Sequence, residues 1–179
     1  MRFEPLSIAG AYLVQPVPIE DDRGFFARTW CAEEFAAQGL ASELAQCSVS
    51  FNCRKGTLRG MHYQAAPYAE AKLVRCTKGA IYDVLLDLRT ESPTYCKWIG
   101  VTLSDANSLM AYIPEGVAHG FQTLEDNTEV FYQISSPYCP ESSHGVRWND
   151  REFGIEWPLN CPILSHRDTN YPDFVRQVS

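Results

Sequence analysis

The sequence predicts an all-β domain, arranged as a sandwich or a barrel of short strands, and three observations carry that prediction. Between about residues 45 and 135, β-type runs recur at near-regular spacing, over 45–51, 57–63, 71–77, 80–88, 95–103, 108–113, 118–124 and 128–135. The gaps carry turn chemistry, in Lys78-Gly79, Ser92-Pro93, Asp105-Ala106-Asn107, Pro114-Glu115-Gly116 and Glu125-Asp126-Asn127. Helix-forming composition is confined to one short stretch. A length of 179 residues suits one domain with a sizeable core, expected over residues 1–179.

Taken in order, residues 11–30 read as extended. Pro16 and Pro18 suggest an edge or a connection, and Asp21-Asp22-Arg23-Gly24 reads as a turn, after which Phe25 and Phe26 are expected to re-enter a core. Cys31 to Ala37 sets Glu33, Glu34 and Phe35 among alanines and is ended by Gly39, so one short helix is expected there. The eight strands follow. After Pro137 the pattern becomes irregular, with Pro140, Pro158 and Pro162, and Trp148 and Trp157 are expected to pack a cap over the β-core.

Composition narrows the function classes. The start, Met1-Arg2-Phe3-Glu4-Pro5, lacks the apolar region of a signal peptide, and no run of ~18 apolar residues occurs, so a soluble cytoplasmic protein without a membrane partner is expected. Seven cysteines form no CxxC pair, and their odd number reads as reduced thiols. A net charge of −7 argues against nucleic acid, which needs an accumulated basic surface. Against that average, residues 54 to 78 hold Arg54, Lys55, Arg59, Lys72, Arg75 and Lys78 against the single acid Glu70. A basic pocket in an acidic protein suits a small phosphorylated ligand; a solvated basic strand face is the plainer alternative.

Within that segment, Leu58-Arg59-Gly60-Met61-His62-Tyr63-Gln64 and Lys72 bring an imidazole, a guanidinium and an ammonium close together. Those groups can take a proton from carbon while holding an anion. Asp83 and Asp87 interrupt the apolar run Ile81 to Leu88, and buried acids need basic partners or a salt bridge. Tyr132, in Val130-Phe131-Tyr132-Gln133-Ile134, would serve as a proton donor if aimed at a reacting carbon, and as plain core otherwise. Strict strand alternation sets His62 with Leu58, Gly60 and Gln64 and turns Arg59 to the other face. Both reach one site only if Gly60 marks a bulge or Arg59 reaches around from the strand end.

Pro114-Glu115-Gly116-Val117-Ala118-His119 resembles the second motif of the cupin superfamily, whose members are double-sheet jelly rolls. The first cupin motif should offer two histidines, but here it reads His62-Tyr63-Gln64, and an amide is a poor ligand for zinc or iron. A metal-free cupin barrel is therefore expected, with a short N-terminal helix and an irregular or partly helical C-terminal cap.

The resemblance extends further. Asp22-Arg23-Gly24-Phe25-Phe26, Leu58 to Gln64, Ala71-Lys72-Leu73-Val74-Arg75, Ser92-Pro93-Thr94, Ile113 to Gly116 with Ala118-His119-Gly120-Phe121, and Trp148-Asn149-Asp150 through Ile155-Glu156-Trp157-Pro158 resemble the dTDP-4-dehydrorhamnose 3,5-epimerase family, in order over nearly the whole chain. The resemblance implies a cofactor-independent, metal-free epimerase of nucleotide-linked 4-keto-6-deoxyhexoses, homodimeric, with an N-terminal segment that reaches across to its neighbour. It implies His62 as the base at C3 or C5, Asp168 as its partner, Lys72 as the donor to the enolate oxygen at C4, and Tyr132 as the group that returns the proton from the opposite face. Arg23, Arg59, His119 and Arg167 match positions that hold the diphosphate and sugar, and Tyr138 matches an aromatic that stacks on the base. Gln64 joins this substrate-binding set.

At the nucleotide end Gln46 matches the family, whereas Arg28, Ser48 and Ser143 stand where rhamnose-pathway members tend to carry Glu, Asn and Glu. The base is thereby left open among dTDP-, GDP- and CDP-linked sugars. A single-centre epimerase, acting at C3 or C5 alone, and a sugar-binding cupin without turnover are the alternatives. The binding module would have no need of an opposed His62 and Tyr132.

Overall fold

A computed structural model describes residues 1–176, so the last three residues of the expected domain, 177–179, lie outside the described residues. All eight expected strands form: β5 (Gln46–Asn52), β6 (Leu58–Gln64), β7 (Lys72–Lys78), β8 (Ala80–Asp87), β9 (Trp98–Ser104), β10 (Met110–Ile113), β11 (Val117–Thr123) and β12 (Thr128–Ile134). Four precede them, β1 (Arg2–Pro5), β2 (Tyr12–Gln15), β3 (Ile19–Asp21) and β4 (Gly24–Phe26), and β13 (Ser143–Gly145) follows. The one expected helix is α1 (Ala32–Ala37), and a second single turn, α2 (His166–Thr169), lies in the cap.

These strands make two antiparallel sheets that pack face to face as a double-sheet jelly roll. One has the order β1-β2-β10-β7-β12-β5, the other β13-β6-β11-β8-β9. Between them lies a core of Val74, Cys76, Ile81, Leu85, Leu103, Ala111, Ile113, Val117, Phe121 and Val130. β8 explains why its sequence does not alternate. Ile81 and Leu85 face the other sheet, while Val84 and Leu86 lie under a second cluster with Val146, Phe153 and Trp157 from the C-terminal cap. A strand covered on both faces reads as a continuous apolar run.

The cap is tied down by indoles. Trp157 Nε1 donates to the Trp148 carbonyl at 2.9 Å, and Trp98 Nε1 donates to the Phe153 carbonyl at 3.0 Å. On the opposite outer surface α1 packs through Phe35, which is buried with Val14, Leu73, Met110 and Tyr112. Its end follows from Gly39, whose left-handed backbone (φ +70°) lets the chain leave the helix while its N–H still reaches the Ala36 carbonyl.

One expectation is corrected here. Phe25 and Phe26 do not re-enter the core: they are 66% and 74% exposed on β4, which pairs only with β3 in a separate two-stranded ribbon. The ribbon borders neither main sheet. Its side chains therefore have no second layer of this chain to bury against. Asp87, by contrast, behaves as a buried acid must. It takes two hydrogen bonds from the Arg89 guanidinium and one each from Ser92 and Thr94 at 2.6 Å. Burial pushes its pKa upward, but those donors overcome that and hold it at about 2.

Candidate active site

At one end of the barrel the two sheets part around a cavity of about 820 Å³. Twelve of the fourteen residues singled out from sequence line it: Gln46 and Ser48 on β5, Arg59, His62 and Gln64 on β6, Lys72 on β7, His119 on β11, Tyr132 on β12, and Tyr138, Ser143, Arg167 and Asp168 from the cap. His62 and Tyr132 come from different sheets. Packed sheets stand ~10 Å apart, so a sugar-sized ring fits between groups on their facing surfaces.

The face conflict between Arg59 and His62 is resolved by a bulge. β6 pairs His62 with His119 and Arg59 with Phe121, so it carries two residues, Gly60 and Met61, opposite the single Gly120. The extra residue turns two side chains three positions apart toward the same cavity. Only glycine fits at its centre. Gly60 has φ +140°, and a Cβ there would lie 2.5 Å from Gly120 Cα.

His62 Nε2 lies 2.6 Å from Asp168 Oδ1, and Asp168 is almost wholly buried. Burial pushes the Asp168 carboxyl upward, yet hydrogen bonds from His62, Ser165 and the Gly60 backbone hold it below the usual carboxylate range. An ionised carboxylate can only accept, so Nε2 carries the proton, and in the neutral imidazole the other ring nitrogen is the one with the lone pair. Asp168 owes its position to α2, where its own N–H donates to the Ser165 hydroxyl at the helix cap.

Across the cavity the Tyr132 phenol is pushed strongly up, first by burial and then by the Asp83 charge, with Arg59 opposing. It stays protonated at neutral pH and can donate. Its ring meets His119 edge to face at 5.9 Å, and His119 Nε2 lies 2.6 Å from Asp83 Oδ1. Asp83 thus finds a histidine as the partner a buried acid requires. The ammonium of Lys72, nearly buried, sits 3.0 Å from Glu70 and 3.4 Å from the His62 carbonyl.

Two guanidinium groups lie at the mouth. Arg59 is aimed by Asn52, whose side-chain oxygen accepts from Arg59 Nε at 2.8 Å, and Arg167 donates to Ser143 through its carbonyl and hydroxyl, each at 3.1 Å. Tyr138 is 58% exposed at the rim, with its ring available for stacking.

Three positions stand apart from the rest of the set. Gln64 lines the cavity, but its amide donates to the Tyr68 and Pro137 carbonyls and accepts from the Cys139 N–H, so it holds two loops together and keeps no polar hydrogen for a ligand. Arg23 and Arg28 lie outside the cavity. Arg23, 89% exposed on its side chain, pairs with Asp21, and Arg28 pairs with Glu34. Sequence reasoning missed Glu70 as a cavity residue, although it stood out as the only acid in the basic segment.

Among the described residues no cluster of three or more His, Cys, Asp or Glu side chains suits a metal ion, and no helix is long and apolar enough to cross a membrane. The family model for dTDP-4-dehydrorhamnose 3,5-epimerase matches residues 5–176. The chain is 40% identical over 173 residues to the dTDP-4-dehydrorhamnose 3,5-epimerase of Sinorhizobium fredii, covering 96% of this chain and 89% of that one. It is 40% identical over 169 residues to the dTDP-4-dehydrorhamnose 3-epimerase of Streptomyces niveus, covering 94% and 81%. The crystal structure of the Bacillus anthracis 3,5-epimerase, with TDP and PPi bound, superposes with a TM-score of 0.93 at 39% identity, over 97% of this chain and 99% of that one. With agreement along the whole chain in both sequence and fold, this protein belongs to the dTDP-4-dehydrorhamnose 3,5-epimerase family.

Proposed function

We propose that the protein epimerises a dTDP-linked 4-keto-6-deoxyhexose at C3 and C5, without metal or cofactor. The observation that carries this reading is the pairing of His62, on one sheet and bonded to Asp168 of the cap, with protonated Tyr132 on the other sheet, around a single cavity. A hydrogen beside a ketone is the acidic C–H of such a sugar. His62 removes it from one face, the enolate oxygen at C4 takes a hydrogen bond from Lys72, and Tyr132 returns a proton to the opposite face, which inverts the centre. Asp168 holds the imidazole in the tautomer that can accept and stabilises the imidazolium that results.

Arg59 and Arg167 are proposed to hold the diphosphate, with His119 at the sugar, Tyr138 stacked on the base, and Gln46, Ser48 and Ser143 at the nucleoside. Arg23 and Arg28 fit a homodimer in which the β3–β4 ribbon reaches the neighbour's cavity. The exposed Ile19, Phe25 and Phe26 on that ribbon support such a contact. Seven free thiols suit the reducing cytoplasm.

The test is incubation with dTDP-, GDP- and CDP-linked 4-keto-6-deoxyhexoses in deuterated water, followed by NMR. Deuterium is expected at both C3 and C5 of the dTDP sugar. Incorporation at one centre alone makes the protein a single-centre epimerase, and none with any sugar leaves a binding module.

A further inference from the structure

Behind the wall of the cavity stands Tyr171, just past α2, and three of its contacts concern groups of the site. Its ring meets the His62 imidazole edge to face, with centroids 6.2 Å apart at 61°. The Arg167 guanidinium lies over the same ring, 5.7 Å from its centroid. The third contact is Gly145, the register partner of His62 on β13. A Cβ at Gly145 would sit 2.3 Å from Tyr171 Cζ and 2.6 Å from both Cε2 and the hydroxyl. Nothing larger than glycine leaves room for the ring.

We infer that Tyr171 is a positioning residue of the epimerisation, seated in the space that Gly145 leaves open, where its ring buttresses the catalytic imidazole and the anion-binding guanidinium together. The inference rests on the proposed function. Asp168 fixes one point of the His62 ring by a hydrogen bond, and one bond leaves the ring free to pivot about it. The Tyr171 edge removes that freedom. Tyr171 does not line the cavity, so it acts on substrate only through His62 and Arg167.

The roles predict a split in the kinetics. Tyr171→Phe keeps the ring and is expected within about twofold of wild type in kcat and KM. Tyr171→Ala is expected to lower kcat at least roughly tenfold, since small misplacements of a catalytic group carry penalties of that order and above. It also raises KM through Arg167, roughly threefold by the scale of one surface cation–π contact. Gly145→Ala, which drives the ring out while keeping its chemistry, is expected to reproduce the fall in kcat. The double variant Gly145→Ala/Tyr171→Ala gives the new methyl its space and is expected to be no worse than Tyr171→Ala alone. Where Tyr171→Ala fails to fold, Gly145→Ala carries the test.

Deuterium exchange at C3 and C5 is followed in every variant. A wild-type protein without exchange overturns the proposed function. Wild-type exchange together with an undiminished kcat in Tyr171→Ala or Gly145→Ala overturns the positioning role alone. So does a Tyr171→Phe variant as impaired as Tyr171→Ala, because the hydroxyl and not the ring would then be what matters.

Discussion

His119 Nε2 and Asp83 Oδ1 stand 2.6 Å apart as a buried pair, and the imidazole of that pair meets the Tyr132 ring edge to face. Two histidine–carboxylate pairs thus flank the cavity, His62 with Asp168 and His119 with Asp83, the second beside the phenol. The second bears directly on how long Tyr132 keeps its proton. Burial and the Asp83 charge both oppose its ionisation. In the wild type the alkaline limb of the kcat profile is expected to stay above pH 10, the ordinary range of a phenol. Asp83→Asn removes one of the two causes, and the limb should move to lower pH; a kcat–pH profile of both proteins checks this.

The two sides of the reaction separate in single variants. His62→Ala is expected to abolish exchange of substrate C–H hydrogens with deuterated water while dTDP-sugar binding, read by calorimetry, persists. Tyr132→Phe is expected to retain exchange and lose inversion, by roughly 10²-fold or more on the usual scale for a proton-transfer group. Retained exchange in the first variant, or full activity in the second, contradicts the assigned roles.

Gly60→Ala addresses the bulge that joins Arg59 and His62 in one site. The added methyl would meet Gly120 Cα at 2.5 Å, backbone against backbone, in a conformation that L residues rarely adopt. A loss of at least ~2 kcal/mol is expected by urea denaturation. The kcat of whatever protein folds should also fall.

Asp87 gives a stability prediction with a definite sign. Its folded pKa, about 2, is depressed from 3.8. The ionised form is thus favoured on folding, and the contribution, on the order of 2 kcal/mol, is present above pH 4 and lost as pH falls toward 2. Asp87→Asn should destabilise the protein at pH 7 and differ progressively less from wild type between pH 4 and pH 2. Chemical denaturation across that range measures it.

The β3–β4 ribbon is tested by charge. Phe25→Asp with Phe26→Asp adds two carboxylates where a dimer contact is proposed, and these side chains leave the core of their own chain untouched. The variant is expected to sediment as a monomer with an unchanged melting curve. Its KM should rise, since Arg23 and Arg28 would no longer reach a neighbouring site.

Much of this molecule could be read from local chemistry. The eight strands of the barrel follow from β-type runs bounded by turn residues, and α1 from a helix-forming stretch ended by a glycine. His62, Lys72 and Tyr132 stand out by residue type within their strands, Asp168 enters only through the family resemblance, and all four line one cavity. Residue type and spacing are enough for the strands and the helix because each is a local preference or a pattern. What only the tertiary structure decided depends on partners distant in sequence. Arg59 faces the cavity because β11 offers one residue against two of β6, and Phe25 and Phe26 remain exposed because their ribbon borders neither sheet. Gln64 is engaged by backbone groups of two separate loops, Tyr68 in one and Pro137 and Cys139 in the other, and Asp83 finds His119 across a strand pair. Tyr171 reaches His62 only where Gly145 leaves room. Register, layer coverage and free space belong to pairs of elements, and no single stretch of the chain contains them.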